Sequence, residues 1–383
     1  MPIYHRLGEI PHKRHTQFRK PDGNLYREQL KGTRGFDGHS SLLYHLRMPT
    51  STKEISAENL SSPEVWDHEI RHHHLRTTDI PVQGDITSGR IPVLFNDDVT
   101  ISLCRPEKSM DDFYRNSDCD EVLFVHEGKG ILHSPYGKLP FHPGDYIVVP
   151  RGTIYQVELE GNQHRFYIIE SNWPVEIPKK YRNNSGQFLE HSPYCERDIR
   201  QPKDLEPVDE TGEFPIRVKA RGKLTNFLLD HHPFDVVGWD GYLYPWIFNI
   251  DDFEPITGRI HQPPPVHLTF QTEQFVICSF VPRLFDYHPL SIPAPYYHHN
   301  VDSDEILYYV EGEFMSRKGI EVNSISYHPG TVPHGPQPGK VEASIGAKET
   351  NELAVMLDTF RPLNLTMQAK DLDDPEYPYS WVE

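Results

Sequence analysis

Two stretches of this chain carry residue types that can hold a catalytic metal. The first runs Tyr296-Tyr297-His298-His299-Asn300-Val301-Asp302-Ser303-Asp304-Glu305, and the second is Val332-Pro333-His334-Gly335-Pro336. Together they offer two imidazoles and one carboxylate in the order and spacing of a mononuclear iron(II) site. Two neutral nitrogens and one oxygen on one face of a metal leave the opposite positions open for a substrate and dioxygen. Adjacent strand residues face opposite ways, so only one of His298 and His299 can be a ligand. That choice stays open, with the His-x-Asn spacing favouring His298.

The elements that must position these residues read as β. The 383 residues include 35 prolines and 25 glycines, which argue against long helices. Tyr, Phe, Val and Ile dominate the apolar segments, as strands prefer. The net charge is -18 with no basic block, so nucleic acid and anionic membrane surfaces are unlikely partners. Cys104, Cys119, Cys195 and Cys278 are widely spaced, which disfavours a disulfide framework or a thiolate zinc site. No signal-peptide-like or membrane-spanning apolar run is visible, and the expected location is a reducing cytoplasm, where iron stays ferrous.

Residues 1–65 read as an N-terminal arm with a helix-like piece around Leu25–Leu30. Strand patterns follow at Arg90–Phe95, Val99–Leu103 and Glu121–Gly128, and again at Ile216–Lys219, Phe275–Phe280 and Ile306–Val310. An internal repeat relates them. Glu121 leads an apolar strand into Gly128, as Glu305 leads one into Gly312, and each strand is followed by a His-Pro-Gly turn, at His142–Gly144 and His328–Gly330. Such repeated strand–turn–strand units resemble the cupin superfamily of small jelly-roll barrels. The resemblance implies an all-β fold of two barrels. A degenerate, metal-free barrel would span 66–180, a linker 181–215, a metal-binding barrel 216–365 and a tail 366–383. In the first barrel Tyr155 stands where a cupin places a metal-binding His, and Tyr114 and Asn116 stand upstream of Glu121.

In the second barrel the expected ligands are His298, Glu305 and His334, with Asn300 where a cupin often has a further His. Here the sequence resembles the homogentisate 1,2-dioxygenases. The resemblance is carried by Pro295–Asn300, Glu305, Ser326-Tyr327-His328 and Pro333–Pro336. It extends to Asn24–Leu30 and to Pro233–Gly241. It implies Fe(II)-dependent cleavage of homogentisate by O2 to maleylacetoacetate, in tyrosine and phenylalanine breakdown, by a homo-oligomer of trimers or hexamers. It also implies His261 as the imidazole that removes the phenol proton, with His267 as a rival, and Tyr296 and His328 as pocket residues.

Phe314 departs from the family, which has at this place a Tyr that bonds the substrate carboxylate. Phe cannot donate that bond. Either Arg259, His328 or Tyr296 holds the carboxylate, or the substrate is another hydroxylated aromatic acid, gentisate-like or hydroquinone-like. A non-catalytic two-barrel binding protein is the reading from a different class. His72-His73-His74 reads as a solvated or subunit-contacting segment, and the acidic tail as surface or interface.

Overall fold

The computed structural model describes residues 3–60, 62–317 and 319–382, apart from the side chains of Glu58 and Asn59. The first two residues of the expected arm, its Ser61 and the last residue of the expected tail lie outside them. The fold is dominated by β-structure. The two α-helices among the described residues, Lys340–Ser344 and Met367–Lys370, are short. Among the described residues no helix is long and apolar enough to cross a membrane.

The repeat forms two β-units sharing one core. In the first, the long Asp120–Ser134 strand lies between Asp145–Val149 and Ile154–Ser171. In the second, Asp304–Glu311 lies between Ile325–His328 and Leu353–Thr359, and Phe275–Phe280 and Leu268–Gln271 continue the sheet. Strand side chains alternate between faces, and both central strands use the alternation alike. Val122 and Phe124 face the core that joins the units, as do Ile306, Tyr308 and Val310. The Tyr167 and Tyr308 rings stack there with centroids 4.6 Å apart. Leu123 and Val125 face the interior of the first unit, and Leu307 packs on Leu268, Cys278 and Met356 in the interior of the second. Glu121 and Glu305 share the parity of these inward residues.

Several expectations are corrected. Arg27–Gly32 is a strand, not helix-like: it pairs antiparallel with Ser40–His45, which in turn pairs with Val236–Gly241. A six-residue segment has too few periods to separate helix from strand, and pairing decides it. The 181–215 segment expected as a linker buries Tyr181, Phe188, Tyr194 and Ile199 in the main core. Tyr194 packs on Phe248 and Phe270, and Tyr181 Oη donates to the Leu268 carbonyl at 2.7 Å. The His72–His74 segment is not solvated. His72, His73 and His74 are buried, because His73–Leu75 adds an edge strand beside Ile325–His328.

The pairing of the two His-Pro-Gly turns is also wrong. Glu305 lies opposite His328, and Glu121 lies opposite Val149. His328 therefore answers to Val149, not to His142, and His334 to Tyr155.

Candidate metal centre

The ligand set is assembled by register. His298 and His334 face each other across an isolated antiparallel bridge, each N–H bonding the other's carbonyl at 2.8 and 2.9 Å. Their rings meet edge to face at 4.5 Å. Glu305 enters from the central strand. Its Oε2 lies 3.5 Å from His298 Nε2 and its Oε1 lies 3.3 Å from His334 Nε2. One ligand atom from each of these three residues falls within 4.8 Å of the others. The Nδ1 atoms of His298 and His334 bond the carbonyls of Tyr296 and Val332 at 2.9 and 3.2 Å. Such bonds fix the tautomer and leave Nε2 as the free lone pair. His299 is exposed and outside the cluster.

Electrostatics matches a cation site. Burial opposes ionisation of Glu305, but the His298, His328 and His334 imidazoles gathered around it overcome that and hold the carboxyl well below its usual range. The bond to Glu305 raises the His298 pKa against the effect of burial. Burial keeps His328 neutral, its pKa well below that of a free imidazole. Asp358, opposite Glu305 on the next strand, is pushed up to about 7 by burial and then by the Glu305 charge.

Two observations test whether these residues fit a metal ion. His334 Nε2 is buried with no hydrogen-bond partner, although it points at a carboxylate. Such an orphan is costly unless something else uses its lone pair. The first unit supplies the second test. Tyr114 precedes Glu121 by the interval at which His298 precedes Glu305, and Tyr114 pairs with Tyr155 as His298 does with His334. Among these three equivalents lies the Arg90 guanidinium. Its Nη1 is 2.6 Å from Glu121 and 3.3 Å from Glu170, its Nη2 is 3.2 Å from Tyr155 Oη, and it sits 5.7 Å from the Tyr114 ring. The architecture thus holds a cation at this place. In the first unit the cation is covalent and the donors are phenols. In the second the donors are two imidazoles and a carboxylate, the set that suits a divalent transition metal.

A cavity of about 610 Å³ opens above the triad, reached by His298 and Glu305 and floored by Val276, Cys278, Leu307 and Met356. His261, His267, Tyr296 and Phe314 line it. The His261 and Tyr296 rings are 5.1 Å apart and those of Tyr296 and His298 5.9 Å. His261 Nδ1 lies 3.5 Å from Asp286 Oδ2. Phe314 packs edge-on against Tyr309 at 4.4 Å. His328 does not line the cavity. It lies behind Glu305 with no exposed surface, its Nδ1 2.8 Å from Glu305 Oε1. Arg259 is exposed and also off the cavity.

Sequence reasoning missed Arg317, Asp358, Tyr377 and Trp381. Arg317 is 8% exposed, lines the cavity and is backed by the Trp381 ring at 5.8 Å. The tail, expected as surface or interface, packs against the site within the same chain: Tyr377 is buried and Trp381 lies 5.2 Å from His72. The signal that could have found the tail is its aromatic content, since Tyr and Trp rings in an acidic stretch need a surface to cover.

Comparison with known proteins bears on what such a centre belongs to. Residues 8–250 match the family model described as homogentisate 1,2-dioxygenase N-terminal. The chain belongs to the homogentisate 1,2-dioxygenase family. It is 46% identical over 385 residues to a Saccharolobus solfataricus protein provisionally named a dioxygenase, covering 100% of this chain and 99% of that one. It is 26% identical to a homogentisate 1,2-dioxygenase of Pseudomonas putida, over 97% of this chain and 90% of that one. A Legionella pneumophila homogentisate 1,2-dioxygenase is 28% identical over 90% and 87%. The family model ends before the metal segment, whereas these three alignments span nearly the whole chain. Among solved structures, a cupin 2 conserved barrel protein from Leptotrichia buccalis aligns at 11% identity over 71% of this chain and 88% of that one, with a TM-score of 0.34. That likeness is too loose to carry weight.

Proposed function

We propose that this family member is an Fe(II)-dependent dioxygenase that opens the ring of a hydroxylated aromatic acid, with homogentisate as substrate and maleylacetoacetate as product, in tyrosine and phenylalanine catabolism. The observation that carries the reading is the convergence of His298 Nε2, His334 Nε2 and the Glu305 carboxylate, with His298 and Glu305 lining a largely apolar cavity. These three residues would hold the iron. Bound there, ferrous iron would supply open positions for a phenolate oxygen and for dioxygen, and the electrons that start oxygen reduction.

The chain's own residues account for the remaining requirements. Val276, Leu307 and Met356 offer an aromatic ring an apolar bed that excludes water. His261 is the base for the phenol proton, and Asp286 beside it stabilises the imidazolium that results. Of the groups considered for the substrate carboxylate, Tyr296 alone lines the cavity. Arg317 adds a buried guanidinium there, close in sequence to Phe314, and is the stronger counter-charge. A cytoplasmic trimer or hexamer is the assembly that the family implies.

The test is anaerobic loading with ferrous iron, addition of homogentisate, and measurement of oxygen uptake and the product chromophore. No uptake at full iron occupancy refutes the proposal. Phe314 favours a second reading, in which the substrate is a gentisate-like or hydroquinone-like acid. Turnover of gentisate, hydroquinone or protocatechuate in place of homogentisate would establish it. Failure to retain stoichiometric iron would instead favour a non-catalytic binding protein.

A further inference from the structure

Behind the triad, on the side away from the cavity, lies a hydrogen-bonded chain that the proposed chemistry does not use. His328 Nδ1 is 2.8 Å from Glu305 Oε1, and His328 Nε2 is 3.1 Å from Tyr377 Oη. A carboxylate only accepts, so Nδ1 must carry the imidazole proton. The neutral ring then presents a lone pair at Nε2, and the Tyr377 hydroxyl donates to it. The order is fixed end to end: tyrosine to imidazole to carboxylate. All three residues are buried, so water cannot replace a missing link.

The tyrosine is itself held by the C-terminal segment. The Asp374 N–H bonds the His74 carbonyl at 2.8 Å, and Asp373 Oδ1 is 3.0 Å from His73 Nδ1. The Tyr377 ring lies 5.3 Å from that of His74. Farther along, Trp381 Nε1 donates to the Gly335 carbonyl at 3.0 Å, and Gln337 Nε2 donates to Ser380 Oγ at 2.6 Å. Gly335 and Gln337 lie just after His334 in the chain. From the other side, His72 Nε2 donates to the Pro333 carbonyl at 3.1 Å. One segment therefore braces both Glu305, through His328, and the backbone around His334.

We infer that residues 371–382 are a positioning element of the metal centre, in which Tyr377 acts through His328 to orient the Glu305 carboxylate toward the metal. Tyr377 is a positioning residue and touches neither substrate nor metal. His328 belongs to this chain rather than to the substrate pocket. The inference rests on the metal reading above. Partners of this kind, one bond behind a ligand, typically account for about 10-fold to 100-fold in metal affinity.

Cobalt(II) is the probe, because its visible bands report the arrangement of its ligands independently of turnover. Tyr377→Phe, one step farther from the ligand than His328, should bind cobalt about 10-fold more weakly than the parent chain, the lower end of that range, with shifted bands. Tyr379→Phe, at an exposed neighbour, should match the parent in both. The amide of His328→Asn can donate where Nδ1 does but has nothing at the Nε2 place for Tyr377, so this variant should match Tyr377→Phe, whereas His328→Leu should bind more weakly still. Unchanged affinity and bands in Tyr377→Phe would overturn the inference alone. If that variant does not fold, equal binding by the two His328 variants overturns it. A parent chain that takes up no cobalt overturns both this inference and the metal reading.

Discussion

Replacing Arg90 with Met tests the logic by which the two units were compared. The guanidinium bonds Glu121 at 2.6 Å, approaches Glu170 at 3.3 Å and Tyr155 Oη at 3.2 Å, and bonds the Ile86 carbonyl at 2.9 Å. The side chain of Arg90 is 9% exposed and those of Glu121 and Glu170 are 1% and 3%, so solvent screens none of this appreciably. Glu170 keeps Lys219 at 2.6 Å and Asn116 at 2.7 Å, while Glu121 keeps only the Tyr155 hydroxyl. The loss therefore falls chiefly on Glu121. Removing one partner of a buried pair costs about 3–5 kcal/mol, because the other charge is left uncompensated. That is a large share of the ~5–15 kcal/mol that holds a typical domain together. Urea unfolding of Arg90→Met should show the loss as a lower midpoint with unchanged slope. Adding Glu121→Gln removes the stranded charge and should restore more than half of it, a coupling that a double-mutant cycle reads directly. A loss below about 1 kcal/mol, or strictly additive effects of the two substitutions, would refute the view that Arg90 is the cation of the first unit.

The same reasoning extends to the second unit. His298→Ala should lose stoichiometric iron or cobalt and His299→Ala should keep it, as metal analysis after reconstitution will read. Metal binds the neutral imidazole, and Glu305 raises the His298 pKa above 6.5. Apparent affinity should thus be flat at alkaline pH and fall about tenfold per unit once the pH drops below that raised value, because protons then compete for Nε2; isothermal titration across pH will show whether the fall begins above 6.5. Phe314→Tyr returns a hydroxyl to the cavity, and a bond of about 0.5–1.5 kcal/mol should lower the KM for a carboxylate-bearing substrate by roughly threefold to tenfold while leaving neutral hydroquinone unaffected. Converting the first unit with Arg90→Ala, Tyr114→His and Tyr155→His should create a second cobalt site around Glu121, raising the stoichiometry from one to two.

The clustering of the candidate ligands was legible because their spacing reflects backbone register. His298, Glu305 and His334 are separated by the intervals that place them at one point once the strands pair. The β-rich class was legible from proline, glycine and β-branched content. The surroundings were not, because they arrive by contacts between distant segments. His72 and Trp381 meet beside His334, although they come from opposite ends of the chain. Nothing local in His72-His73-His74 announces that an edge strand will bury it, since three consecutive imidazoles read as polar until a partner strand is supplied. Asp358 follows a run of apolar residues without any motif, and only its place opposite Glu305 gives it meaning. The turn pairing failed for a related reason: His-Pro-Gly recurs as letters, but the first copy precedes its strand and the second ends one. Register, not motif, decides equivalence.

That equivalence accounts for how the interiors of the two units differ. In both, a carboxylate on the central strand and two ring residues on a facing pair of segments define a pocket that must hold positive charge. Where the charge is an arginine of the same chain, the interior above it can be packed, and Met110, Phe141 and Phe166 fill the first unit. Where the charge must come from solution, the donors need an open approach, and the second unit keeps one lined by His261, Tyr296 and Arg317. The built-in cation stabilises its unit without any ligand. The other unit holds a deprotonated Glu305 and an unbonded His334 Nε2 in readiness. A buried arrangement of that kind costs stability in the empty protein, and binding a metal ion offsets it. Arg90 therefore gives the first unit a purely structural cation, and on the proposed reading the reactive chemistry belongs to the second.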